Sequence, residues 1–218
     1  MKKVAVILSG SGVFDGAEIH ESVLTLLALE RAGVKYSCFA PDINQLHVVN
    51  HLTGEVDESD TRNVLVEAAR IARGDIQNVA ELNADEFDAL MLPGGFGAAK
   101  NLCTFAVHGK DSEVNEDVLA ACKAFADAGK PAAYACIAPA IIPAVYPQGV
   151  KLTIGTDAST AEALNAMGAS HVDSSVDGVV YDETYKVFST PAYMLAANIT
   201  EAAASIDNIV SKLVAAID

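Results

Sequence analysis

The stretch Pro131-Ala132-Ala133-Tyr134-Ala135-Cys136-Ile137-Ala138-Pro139 decides how this chain is read. A short apolar run of strand length ends on a cysteine. Small residues and a proline follow, and proline is tolerated in the first turn of a helix because those N–H groups lack intrahelical partners. Small neighbours permit a sharp strand-to-helix turn that lifts a nucleophile above a sheet, as in a nucleophile elbow. At a helix start Cys136 meets a positive partial field, which favours its thiolate. The same residues also fit a buried cysteine that fills a tight turn. The uncharged run continues to Val150, but Pro131, Pro139, Pro143 and Pro147 cannot share one helix. It reads as strand, turn and short helix.

Working outward, strand-length apolar runs alternate with helix-length patterns. Strands are expected at 3–8, 34–39, 87–92 and 131–135, with short β segments at 151–154, 179–181 and 186–189. Helices are expected at 18–32, 61–73, 113–128 and 192–217, three of them closed by Gly33, Gly74 and Gly129. This alternation predicts an α/β fold with a mainly parallel sheet covered on both faces. No linker or repeat divides residues 1–218, so one domain is expected. Residues 44–60 are polar and irregular and read as an insertion or lid. In such sheets the site lies at the carboxyl ends of the strands. Those ends are Ser9–Glu21, Ala40–Asp42, Pro93–Lys100 and Ala135–Pro139.

The chain carries 29 acidic and 14 basic residues, a net charge of −15. Such a surface repels nucleic acid and anionic membranes, so neither is an expected partner. Hydrophobic residues make up 51%, enough for a packed core. No signal or spanning segment is recognised, and a cytoplasmic location is expected. Cys38, Cys103, Cys122 and Cys136 form no CxxC pair, which argues against structural zinc and a dithiol redox motif.

Two further strand ends carry chemistry. In Pro93-Gly94-Gly95-Phe96-Gly97-Ala98-Ala99-Lys100, glycines free the backbone N–H groups to face an anion. An ordinary turn reads the same way. Lys100 either neutralises a substrate or is solvated. In Asp15-Gly16-Ala17-Glu18-Ile19-His20-Glu21, Asp15 and Glu18 match a capping box. Glu21 lies one turn on and can face the cysteine as a proton acceptor. His20 neighbours this loop. Gly10 and Gly12 fail the dinucleotide pattern, because Asp15 stands where it requires glycine. No histidines have HxxxH spacing, and no metal site is expected.

Together with Asn50-His-Leu-Thr-Gly-Glu55, Leu152-Thr-Ile-Gly-Thr-Asp157 and Thr190-Pro-Ala-Tyr-Met194, these motifs resemble the ElbB (enhancing lycopene biosynthesis) family. That family lies within the PfpI-like, class I glutamine amidotransferase-like superfamily. The resemblance runs the length of the chain. It implies a flavodoxin-like three-layer sandwich, a homodimer, and a glyoxalase activity that converts glyoxal to glycolate without glutathione or any cofactor. It makes Cys136 the nucleophile and Glu21 the acid/base, with Glu18 the alternative. Gly94, Gly95, Phe96 and the amide of Ile137 would supply donors, and His20 and Lys100 would border the substrate, a small dicarbonyl. One departure matters. Ile137 follows the cysteine, and Thr190–Tyr193 offers no histidine, so a Cys-His-Glu amidotransferase triad is not expected. The same resemblance allows deglycation of early aldehyde adducts. A redox sensor or regulatory binding protein linked to isoprenoid metabolism is the alternative function.

Overall fold

The computed structural model describes residues 1–217. The chain runs β1 (Lys3–Ile7), α1 (Ile19–Arg31), β2 (Lys35–Ala40), β3 (Val49–Asn50), β4 (Glu55–Val56), α2 (Val64–Ile71), β5 (Ile76–Asn78), β6 (Ala89–Leu92), α3 (Phe96–Lys100) and α4 (Phe105–His108). It continues through α5 (Glu116–Asp127), β7 (Ala132–Ala135), α6 (Ile142–Val145), β8 (Lys151–Leu152), α7 (Ala158–Ala166), β9 (Ser170–His171), β10 (Val180–Asp182), β11 (Val187–Thr190) and α8 (Ile199–Ala215). Seven strands form one sheet in the order β10-β11-β7-β6-β1-β2-β5. Every pairing is parallel except that of β10 with β11.

Strand pleating sends alternate side chains to opposite faces. Val4, Val6 and Leu8 pack with Leu29, Val64, Ile206, Ile209 and Leu213, under α1, α2 and α8. Ala5 and Ile7 pack with Phe39, Leu90, Val118, Phe125 and Ile142, on the side of α5 and α6. Both faces are covered, which is why the strands read as unbroken apolar runs. This is the flavodoxin-like sandwich.

Several sequence expectations shift. The helix expected at 192–217 splits into a 3-10 turn at Ala192–Met194 and α8, because Asn198 caps α8 by accepting from the Glu201 N–H at 3.0 Å. Helix α5 begins at Glu116 and not at 113, because Asn115 caps it. Strand β5 and helix α7 were not expected. The first has three residues, and the second buries only Leu164. Residues 44–60 form the β3–β4 hairpin, pinned to the β1–α1 loop by Asp15 Oδ2, which accepts from the Val49 N–H at 2.7 Å.

Asp15 is therefore not the cap of α1, and the expected capping box is absent. Glu18 is itself the N-cap, its Oε2 accepting from the Glu21 N–H at 2.6 Å. Nor is the hairpin a lid. None of its residues lines the cavity described below.

Candidate active site

The parallel strands β1, β6 and β7 and the strand β11 all end at one rim. Cys136 follows β7 directly, with φ +59°, a left-handed conformation costing on the order of 1–3 kcal/mol for a non-glycine residue. It is held there from behind, where its N–H donates to the Thr190 carbonyl at 2.9 Å. The turn continues into a 3-10 helix, Ala138–Ile141, carrying Pro139 near its start. Two backbone donors, the N–H groups of Gly95 and Ile137, face the sulfur.

Glu21 reaches the sulfur from α1. Its carboxyl is completely buried. Oε2 accepts from the Gly94 N–H at 2.9 Å and Oε1 from the Tyr193 N–H at 3.0 Å. The Cys136 thiol is its third donor. Ala192, with φ +43°, turns the chain so that the Tyr193 amide meets Glu21. Ser205 braces that turn, accepting from the Ala192 N–H at 3.1 Å and lying 2.7 Å from Thr190 Oγ1.

Burial raises the Glu21 carboxyl to about 7, opposed by the Tyr193 amide and assisted by the Glu18 charge. Burial, and then the Glu21 charge, push the Cys136 thiol well up, although the Gly95 and Ile137 amides pull it down. The thiolate expected from a helix start is thus not the resting form. One short 3-10 turn does not offset loss of solvent beside a carboxylate. Once Glu21 is ionised the thiol donates to it, and the pair is set to pass one proton from sulfur to oxygen.

The glycines make this approach possible. A Cβ on Gly94 would collide with Cys136 Cβ and lie 2.8 Å from Glu21 Oε2. Gly95 has φ +94° and presses against the backbone of Glu18 and Gly16. Of the four expected donors, however, only two are free for the sulfur side. The Gly94 N–H is committed to Glu21, and the Phe96 N–H donates to the Val13 carbonyl at 2.8 Å.

An open cavity of about 480 Å³ stands over Cys136. Phe96, Phe105, Ile137 and Met194 form apolar walls, and Glu18, Thr160 and Tyr193 add polar edges. Lys100 and His20 do not line it. Lys100 Nζ donates to the Phe14 carbonyl at 2.9 Å, so its expected place beside a substrate is not kept. His20 Nδ1 lies 2.8 Å from the Tyr193 hydroxyl, which makes it a support for Tyr193 behind the wall. Tyr193, Phe105, Thr160 and Met194 were not singled out as site residues. The Thr190–Tyr193 segment enters the sequence reading as a motif without histidine. Glu21 is met there by a backbone amide, which no residue type announces. Among the described residues no group of three His, Cys, Asp or Glu side chains is placed to hold a metal ion.

The architecture and site define an α/β sandwich that carries a cysteine elbow facing a buried glutamate. The chain belongs to the DJ-1/PfpI family, which it matches over residues 2–196. It is 48% identical over 201 residues to the mitochondrial ES1 protein homolog of Rattus norvegicus, covering 88% of this chain and 75% of that one. The same identity and coverage hold for the mitochondrial glutamine amidotransferase-like class 1 domain-containing protein 3 of Homo sapiens. A crystal structure from Ehrlichia chaffeensis, described as an isoprenoid biosynthesis protein with an amidotransferase-like domain, superposes with a TM-score of 0.93. It is 37% identical, and the match covers 100% of both chains. The mitochondrial relatives overturn the cytoplasmic expectation. That expectation rested on finding no targeting segment, which is no positive sign of a compartment.

Proposed function

We propose that this chain is a glutathione-independent glyoxalase that converts glyoxal to glycolate through a cysteine hemithioacetal. The observation that carries the reading is the buried Cys136–Glu21 proton pair at the floor of an open, largely apolar cavity. Glu21 accepts the thiol proton as sulfur adds to one aldehyde carbon. The Gly95 and Ile137 amides, which face the sulfur, would donate to the oxygen on that carbon and stabilise its charge. The oxyanion takes up the proton, giving the hemithioacetal. Glu21 then removes the hydrogen of the same carbon as a proton, leaving an enediol as the hydroxyl proton passes to the neighbouring oxygen, and returns the carbon-bound proton to the neighbouring carbon. The first carbon is oxidised to a thioester and the second reduced to an alcohol, so no outside oxidant is required. Water cleaves the thioester, releasing glycolate and restoring the thiol. The same addition serves early aldehyde adducts of amines.

In the alternative, Cys136 is a redox sensor, and a peroxide reaction that outpaces aldehyde turnover would favour it. The homodimer expected from sequence remains part of this proposal, and sedimentation analysis tests it. The decisive assay follows glycolate formation from glyoxal without glutathione and with a chelator present. Glycolate from the wild type but not from Cys136→Ser is expected. Equal rates from both would overturn the reading.

A further inference from the structure

The cavity is far larger and more apolar than glyoxal requires. Glyoxal has four non-hydrogen atoms and no apolar substituent, whereas pockets of about 300–1,000 Å³ enclose much larger molecules. Here about 480 Å³ opens above Cys136, between Val13, Phe96, Phe105, Ile137 and Met194. These walls gain from contact with an apolar substituent and have no partner in glyoxal. Polar side chains are the minority, at Glu18, Thr160 and Tyr193.

Charge narrows the class further. Glu18 lines the cavity and its carboxylate caps α1 beside Glu21. No Lys, Arg or His of the described residues lines the cavity. The nearby Lys100 ammonium is held by the Phe14 carbonyl. An anionic substrate would meet carboxylates and no cation, so 2-oxo acids and phosphorylated dicarbonyls are disfavoured.

We propose that the preferred substrates of this site are uncharged 2-oxoaldehydes carrying a bulky apolar or aromatic substituent, with glyoxal a minimal member of the class. This rests on the glyoxalase reading above. The aldehyde carbon bonds to sulfur, and the ketone carbon with its substituent extends between Phe96 and Phe105. The proton shift reduces the ketone carbon to an alcohol while the aldehyde carbon becomes the thioester. Hydrolysis with one water yields the 2-hydroxy acid. For phenylglyoxal that product is mandelate.

The test compares kcat/KM for glyoxal, methylglyoxal, phenylglyoxal and 4-carboxyphenylglyoxal in wild type, Phe105→Ala and Cys136→Ser. Phenylglyoxal is expected to exceed glyoxal by about tenfold or more, the scale of apolar pocket discrimination. Phe105→Ala is expected to lower that ratio severalfold, with circular dichroism and urea unfolding reporting that the variant is folded. Using the ratio cancels the intrinsic reactivities of the aldehydes. 4-Carboxyphenylglyoxal, which keeps the reacting aldehyde and ketone and adds only a negative charge, is expected to fall well below phenylglyoxal. Cys136-dependent turnover of glyoxal with no preference for phenylglyoxal, or a ratio unmoved by Phe105→Ala, overturns this inference and leaves the glyoxalase reading standing. No Cys136-dependent turnover of any aldehyde overturns both.

Discussion

Cys136 and Cys122 sit on opposite faces of the same sheet, both buried and both with thiols pushed above the ordinary range. Cys122 lies in the middle of α5, among Val118, Ala121 and Phe125, with burial driving its thiol to about 12 against a hydrogen bond with Tyr134. Cys136 is nearly as buried. What sets it apart is a left-handed backbone, two amides aimed at its sulfur, a carboxyl able to take its proton, and a cavity above. Burial is common to a structural cysteine and a nucleophile. The chemistry is decided by which groups share the buried space.

The sharpest way to break this contrast is to remove each sulfur in turn. Cys136→Ser is expected to reduce glyoxal turnover by at least about a thousandfold, as loss of a nucleophile does. Cys122→Ala is expected to leave turnover close to wild type and to cost about 1 kcal/mol in urea unfolding, because it only trims a packed core. If Cys122→Ala abolished turnover in a folded protein, the contrast would collapse.

Gly94→Ala probes the approach between the partners. The added Cβ strikes Cys136 and crowds Glu21. A displacement of that size is expected to cost about a hundredfold in turnover. Wild-type rates in Gly94→Ala would show that close contact between cysteine and glutamate is not needed.

Stability against pH sharpens the comparison from the side of the carboxyl. Glu21 titrates at about 7 in the folded chain and near 4.5 when unfolded, so the folded state holds the extra proton. The resulting stabilisation is complete below about 4.5 and is lost as pH rises through about 7. Between those limits wild type is expected to lose up to about 3 kcal/mol that Glu21→Gln does not lose. Urea unfolding at pH 5 and pH 8.5 measures the difference, and parallel curves for the two proteins would contradict it. The smallest effect is expected from Lys100→Ala. With its ammonium on the Phe14 carbonyl, turnover should change by less than about threefold.

Much of this could be read from residue order. The apolar run 131–135 breaking at Cys136 and Pro139 marked the elbow, and the strand–helix alternation marked the parallel sheet. Glu21 was reachable because it lies one helical turn beyond Glu18 at the end of the β1–α1 loop, and the family resemblance favoured it. What escaped were features made by backbone and by distant chain. Glu18, not Asp15, caps α1, because Asp15 is drawn off by the Val49 amide across 34 residues. The Phe96 amide is spent on Val13, and the Tyr193 amide is delivered by a left-handed alanine. A helix such as α7, with one buried residue, carries too weak an apolar stripe to be seen.

The measurement that bears most directly on the Cys136–Glu21 pair is the pH dependence of kcat/KM for glyoxal in wild type and Glu21→Gln. Below pH 7 a protonated Glu21 cannot accept the thiol proton. The wild-type rate is therefore expected to rise with pH through about 7 and level off above it. Glu21→Gln is expected to lack that rise and to run about a hundred- to ten-thousandfold slower at pH 8. A Glu21→Gln enzyme with the wild-type profile and rate would contradict the account.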